Sequence, residues 1–146
     1  LTMKKDMGGA AQALGLAQMI MSAALPVRLR VLVPAVENDI SGGCYRPGDV
    51  LTARNGCTTE VMNTDAEGRL ILADALVEAC SECPALVVDI ATLTGSRTAA
   101  LGLEVPALFC NEQASEMASK LQAFSTEEQD QVWQLPLWTA YRSKLD

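Results

Sequence analysis

The sequence contains no histidine. Within this chain that absence excludes a Ser-His-Asp triad, a His-rich zinc site and an imidazole general base. A metal site built here must draw mainly on carboxylates, which suit hard or borderline divalent ions such as Mg, Mn or Zn. Long hydrophobic runs are also missing, because Lys, Arg, Asp or Glu interrupts every stretch that approaches a membrane span. No secretory-signal pattern is visible at the N-terminus. Basic residues are in deficit, with a formal net charge of −7, which argues against a general nucleic-acid or anionic-membrane surface. There is no G-x-x-x-x-G-K loop, no internal repeat and no low-complexity segment. Five cysteines, an odd number scattered through apolar segments, suit a reducing compartment and hence the cytoplasm. Cys80 and Cys83 form a single C-x-x-C with no second pair, so two small buried residues are expected there rather than a redox pair or half a zinc site.

What is present is the material of a folded core. Hydrophobic residues make up 49% and charged residues 20% of 146 positions, and that length favours one domain. Met7–Ala24 is rich in Ala, Leu, Gln and Met and predicts a helix stopped by Pro26. Val27–Val36 predicts a strand, and Glu37–Gly48 a loop. Val50–Arg54 and Cys57–Met62 flank Asn55-Gly56, which predicts a two-residue hairpin. A helix is expected over Leu70–Ser81, a buried strand over Ala85–Ile90, a polar loop over Thr92–Ser96 and a strand over Val105–Cys110. An amphipathic helix is expected over Glu112–Phe124, with another beginning in Glu127–Trp133. The alternation predicts an α/β fold: a layered, mixed sheet with helices on both faces and an appended antiparallel hairpin. Ligands in such sheets gather at the carboxyl ends of strands, where the loops before Leu70 and at Thr92–Gly95 both lie.

The run Asn63-Thr64-Asp65-Ala66-Glu67-Gly68-Arg69 stands out. In an extended loop, residues two apart point the same way, so Asp65 and Glu67 would converge. Such a pair is costly to hold together unless a cation or a proton neutralises it. Arg69, at the next odd position and where a helix begins, is suited to holding an anion.

This run resembles the signature of the leucine aminopeptidase family, the dinuclear-metal cytosol aminopeptidases. The resemblance continues into Leu70 and Ala73-Asp74-Ala75-Leu76. Asp6-Met7-Gly8-Gly9-Ala10-Ala11 lies upstream and Ala91-Thr92-Leu93-Thr94-Gly95 downstream at family-like spacing. Pro34-Ala35-Val36-Glu37-Asn38 and Tyr45-Arg46-Pro47-Gly48-Asp49 are also similar to the family. The resemblance runs from about Met3 to Cys110.

The resemblance implies that Asp6, Asp65 and Glu67 are metal ligands for two divalent ions, Mn or Zn, with Mg as a further candidate. It implies that Arg69 is the catalytic-site arginine, holding a bicarbonate-like anion that assists proton transfer. Met3, Asn63, Thr92 and Gly95 match positions lining the pocket for the first substrate side chain, and Leu93 would contribute backbone. A Met wall and a Gly floor favour Leu-like and Met-like side chains. The implied reaction is metal-assisted hydrolysis of N-terminal residues from peptides, by a subunit that assembles as a homo-hexamer. Family members place an Asp and a Lys ligand and a catalytic Lys upstream of the Asp-Met-Gly-Gly-Ala element, whereas this chain starts five residues before Asp6. The expectation is therefore a fragment, 1–146, of the C-terminal catalytic domain, incomplete at both ends, inactive alone and weak in metal affinity. Two other classes compete: a Mg-dependent phosphoryl-transfer domain, and a non-catalytic assembly fragment. The latter would present Trp133, Leu135, Leu137 and Trp138, although these residues read more readily as core.

Overall fold

Ala, Leu, Gln and Met dominate the stretch after Asp6 and wind into helix α1, Gly8–Ser22, preceded by a 3-10 turn over Met3–Met7. A Schellman arrangement closes α1. Ala24 N–H donates to Met21 O at 3.0 Å and Leu25 N–H to Ile20 O at 3.4 Å, with Ala24 left-handed at φ +49°. Pro26 follows and cannot continue the winding. A computed structural model describes residues 2–144, which divide into two compact units, one running to Leu93 and one from Thr94.

In the first unit, β1 (Val50–Thr52) and β2 (Thr58–Glu60) form an antiparallel hairpin in the register Val50↔Glu60, Leu51↔Thr59, Thr52↔Thr58. The loop is not the two-residue turn that Asn55-Gly56 suggests. Ala53 N–H donates to Cys57 O and Gly56 N–H to Ala53 O, both at 2.8 Å, with Gly56 at φ +85°. That is a three-residue loop, a turn followed by a left-handed glycine, the next most common hairpin solution. A 3-10 turn over Thr64–Ala66 then runs directly into helix α2, Glu67–Cys80, which starts three residues earlier than Leu70. Beyond its end Cys83 N–H donates to Cys80 O at 3.0 Å, and Cys83 sits at φ +49°. Both cysteines are exposed, contrary to the buried reading: Cys80 is the last residue of α2 and Cys83 lies in the turn beyond it.

Two strand expectations also fail. Residues 27–36 and 85–90 form no ladder, and Val27, Leu29, Val31 and Val33 are exposed, as are Leu86, Val87 and Val88. High β propensity yields a strand only where another backbone supplies the ladder hydrogen bonds, and none of the described residues does so here. The 27–36 segment is tied instead by charge. Arg28 and Arg30 pair with Glu82, and Glu78 receives both Arg30 and, from the hairpin loop, Arg54.

In the second unit, α3 (Ser96–Leu101) precedes β3 (Ala107–Leu108), and a 3-10 turn over Glu112–Ala114 leads into α4 (Ser115–Glu127). Asn111 caps the start, its side chain accepting from Ala114 N–H at 3.0 Å. The expected helix over Glu127–Trp133 is absent. A second Schellman end places Gln129 at φ +58°, with Asp130 N–H donating to Ser125 O at 3.0 Å, and the chain turns back. Buried Ser125 anchors that return: its hydroxyl donates to Gln122 O at 2.9 Å and accepts from Val132 N–H at 3.4 Å. Residues Trp133–Gln134 then form β4, parallel to β3 in the register Ala107↔Trp133 and Leu108↔Gln134. Trp133, Leu137 and Trp138 are exposed rather than core, and a 3-10 turn covers Thr139–Lys144.

The α/β class and the antiparallel hairpin hold, while the described residues carry two two-stranded sheets in place of one layered sheet. Among the described residues the buried apolar side chains are Ala17, Val61 and Ala118. Among the described residues no helix is long and apolar enough to cross a membrane.

The ion-pair cluster gives a pH signature. The hydrogen bond from Arg30, followed by the charge of Arg54, holds Glu78 below its ordinary value of 4.5. A lowered folded-state value means the contribution is fully present above 4.5 and is lost as pH falls through the folded value. Thermal melts between neutral and strongly acidic pH should therefore show a smaller acid-side loss for Glu78→Gln than for the parent chain. Because Glu78 and its partners are solvent-accessible, added salt should shrink the difference.

Candidate functional site

Three glycines carry the convergence of distant motifs. A Cβ on Gly9 would stand 2.2 Å from Ile90 O and 2.8 Å from Ala91 Cα, so α1 lies against the 90–91 backbone as only glycine permits. A Cβ on Gly8 would meet Thr92 Cγ2 at 3.1 Å, and one on Gly68 would meet Leu93 Cδ2 at 3.0 Å. The Thr92 hydroxyl donates to Asp6 O at 3.0 Å. The segments around Asp6, Glu67 and Thr92 are thus fastened together within the first unit, although up to 86 residues separate them.

Asp6 lies exposed in the 3-10 turn before α1, and the residue at the cap position is Met7, so Asp6 is not the helix cap. Met3 shares that turn and is 60% exposed. The Asn63 side chain accepts from Asp65 N–H at 3.0 Å and sets the start of the Thr64–Ala66 turn. Asn38 Nδ2 donates to Thr64 O at 3.2 Å and ties the Pro34–Asn38 segment to the same turn.

Asp65 and Glu67 do not stand side by side as an extended loop would place them. The stretch is helical rather than extended, and residues two apart on a helix do not face each other. Asp65 is exposed, whereas Glu67 is half-buried, and its Oε2 is buried without a hydrogen-bond partner. Arg69 is exposed in the first turn of α2, where unpaired N–H groups favour an anion. It has no ion-pair partner among the described residues: Glu78 is taken by Arg30 and Arg54, and Asp74 accepts from Arg54 N–H at 2.8 Å. Leu93 is exposed, and Gly95 belongs to the second unit, where it precedes α3.

A cavity of about 440 Å³ opens beside Glu67, walled by Leu51, Leu70, Ile71 and Val36 and edged by Asn38 and Tyr45. Tyr45 enters it because Pro47 and Gly48 turn the chain. Asp49 N–H donates to Arg46 O at 3.0 Å, with Gly48 at φ +93°, the pattern of a type II turn. Gly48 N–H donates to Val61 O at 2.7 Å and Val61 N–H to Asp49 O at 2.8 Å, which fixes the turn on buried Val61. The Tyr45 hydroxyl is also buried without a partner. Burial first, and then the charge of Glu67, pushes its pKa up. By sequence Tyr45 and Asn38 are loop residues, and their place in family-like segments is the signal that marks them.

Among the described residues no three of His, Cys, Asp and Glu gather into a metal-holding group. The donor chemistry nevertheless suits a hard or borderline cation: a buried carboxylate oxygen with no donor is an acceptor in need of one.

Comparison with known proteins defines the class. The model of the cytosol aminopeptidase family, catalytic domain, matches residues 1–146. The chain belongs to that family. A probable cytosol aminopeptidase of Syntrophotalea carbinolica is 48% identical over 143 residues, covering 98% of this chain and 28% of the relative. The crystal structure of the cytosol aminopeptidase from Coxiella burnetii superposes with a TM-score of 0.92 at 56% identity, covering 99% of this chain and 31% of that one. The bottromycin maturation enzyme BotP in complex with Mn gives a TM-score of 0.90 at 40% identity, covering 99% and 32%. The chain thus spans about 28% of the length of the curated relative it matches.

The Gly9 contact yields a prediction. Gly9→Ala should lower the urea midpoint by an amount equivalent to at least about 1–3 kcal/mol, because the obstructing atoms are backbone. Gly15→Ala, in the same helix with nothing within 4 Å, should instead raise stability by roughly 0.5–1 kcal/mol.

Proposed function

We propose that the whole protein is a metal-dependent aminopeptidase that releases N-terminal residues, Leu-like ones preferred, from peptides. In this reading residues 1–146 are part of its C-terminal catalytic domain. The observation that carries the reading is the buried, unpartnered Glu67 Oε2 beside segments that Gly9, Gly68 and Thr92 draw together. Family membership supplies the frame.

Asp6, Asp65 and Glu67 would hold two divalent ions, Mn or Zn with Mg as a further candidate, together with donors from outside these three. Bound divalent ions supply Lewis acidity, which lowers the pKa of water and polarises a carbonyl. Arg69 would hold a bicarbonate-like anion at the start of α2, and the chemistry such an anion would supply is acceptance of a proton. The Thr92 hydroxyl, by bonding Asp6 O, keeps the ligand-bearing turn against the loop that would line the first side-chain pocket. Met3, Asn63 and Leu93, all in the first unit, would complete that pocket. Peptide substrates, a cytoplasmic location and homo-hexameric assembly complete the reading. Exposed Trp133, Leu137 and Trp138 are the feature that a purely assembly role would use instead.

Hydrolysis of leucine p-nitroanilide with added Mn or Zn tests the reading. A polypeptide spanning the full length of the relatives should turn over substrate, and Asp65→Ala in it should cost more than the roughly 10–100-fold typical of losing an outer-shell partner. The 146-residue chain alone should be inert, since it spans about 28% of the length of the curated relative it matches. A folded, metal-loaded full-length polypeptide that is inert on several aminoacyl substrates would defeat the catalytic reading and favour assembly.

A further inference from the structure

The turn that carries Asp65 has an alternative form close at hand. Ala66 N–H donates to Asn63 O at 3.2 Å, so Asn63–Ala66 is a β-turn with Thr64 and Asp65 at its centre. Turns of this kind exist in two forms related by a flip of the central peptide, here the one joining Thr64 to Asp65. The flip carries the third residue from a φ of about −90° to about +80°. Aspartate enters that left-handed region more readily than most residues. A flip would therefore swing the Asp65 side chain while the chain on either side barely moved. In this structure Asp65 sits in a right-handed 3-10 turn, and both polar atoms of that one peptide are held. Its N–H donates to the Asn63 side chain at 3.0 Å, and its carbonyl, Thr64 O, accepts from Asn38 Nδ2 at 3.2 Å. The N–H and C=O of a trans peptide point in opposite directions, so the two grips act from opposite sides. Asn38 itself has a set place. Arg28 and Arg30 tie the beginning of its segment to Glu78 and Glu82 near the end of α2, and Asn38 ties the other end to the turn before α2.

We propose that Asn38 is a positioning residue for Asp65: together with Asn63 it clamps the Thr64–Asp65 peptide in the right-handed form and so fixes where the Asp65 carboxylate is presented to a cation. The inference rests on the metal-binding reading above. The Asn63 grip comes from within the turn, whereas Asn38 reaches it from 26 residues away and is the grip that the tertiary fold adds. Without Asn38 the peptide is held at its N–H alone, and the flipped form gains population. A cation that needs the unflipped form then binds more weakly, in proportion to the fraction of molecules still in that form. Asn38 touches neither substrate nor cation in this scheme and acts only through the backbone of Asp65.

The experiment is Mn binding to the metal-free full-length polypeptide, followed by calorimetry and, for weak variants, by equilibrium dialysis, with a crystal structure of the metal-free variant beside it. Asn38→Leu keeps much of the side-chain volume and deletes the donor. Loss of one net hydrogen bond should weaken Mn binding about 2–10-fold, with the protein fully folded in the absence of urea. A loss of that size corresponds to a flipped peptide in about 50–90% of molecules. The crystal structure of metal-free Asn38→Leu should therefore show the 64–65 peptide flipped at about half occupancy or more, and Mn should restore the parent orientation. Unchanged Mn affinity overturns the proposal. So does a weakened affinity with the peptide still in the parent orientation, or a loss that comes with partial unfolding in the absence of urea. A parent protein that binds no Mn defeats the metal reading and the positioning role with it. Mn binding that needs Asp65 but not Asn38 leaves that reading standing and removes only the clamp.

Discussion

The approach of α1 to the 90–92 segment governs the rest of the first unit. Gly9 meets Ile90 O and Ala91 at a separation no side chain tolerates, and that contact brings Asp6 to the Thr92 hydroxyl. Gly68 repeats the device at the start of α2, against Leu93. Backbone packed directly on backbone or side chain, with glycine as the spacer, leaves little freedom for sliding. The motifs therefore meet through small residues, while the charged side chains they carry remain available for chemistry.

Charge is distributed with a similar division of labour. Near the end of α2, Glu78 and Glu82 are fully engaged by Arg28, Arg30 and Arg54, which fastens an extended segment that has no ladder. At the beginning of the same helix, Glu67 and Arg69 have no such partners among the described residues. One end of α2 has its charge engaged in ion pairs, and at the other end the charge is unmatched among the described residues. A carboxylate oxygen that is buried and unpaired is costly in any stable fold unless something further meets it.

Much of the local structure was legible from residue type. Pro26 marked the end of α1, and Asn55-Gly56 marked a hairpin, because φ constraints act within a few residues. The failures have a common cause. Val27–Val36 and Ala85–Ile90 have strand composition, yet pairing depends on another backbone that composition does not name. The extended geometry imagined for Asp65 and Glu67 gave way to a 3-10 turn capped by Asn63, a local hydrogen bond that outcompetes the extended form. Cys80 and Cys83 were read as buried on residue type alone, and only the turn after α2 decided otherwise.

By itself the sequence determined the family, the lack of histidine in these 146 residues, the candidate ligands and helices α1, α2 and α4, because each is written in residue identity or short-range periodicity. The tertiary structure alone decided that Gly9, Gly68 and Thr92 draw three separated motifs together, that Glu67 keeps a buried oxygen unmatched, and that Tyr45 faces the same cavity. Those facts depend on which backbones approach closely and on which polar atoms lose water, quantities set by packing across tens of residues and invisible to any local window.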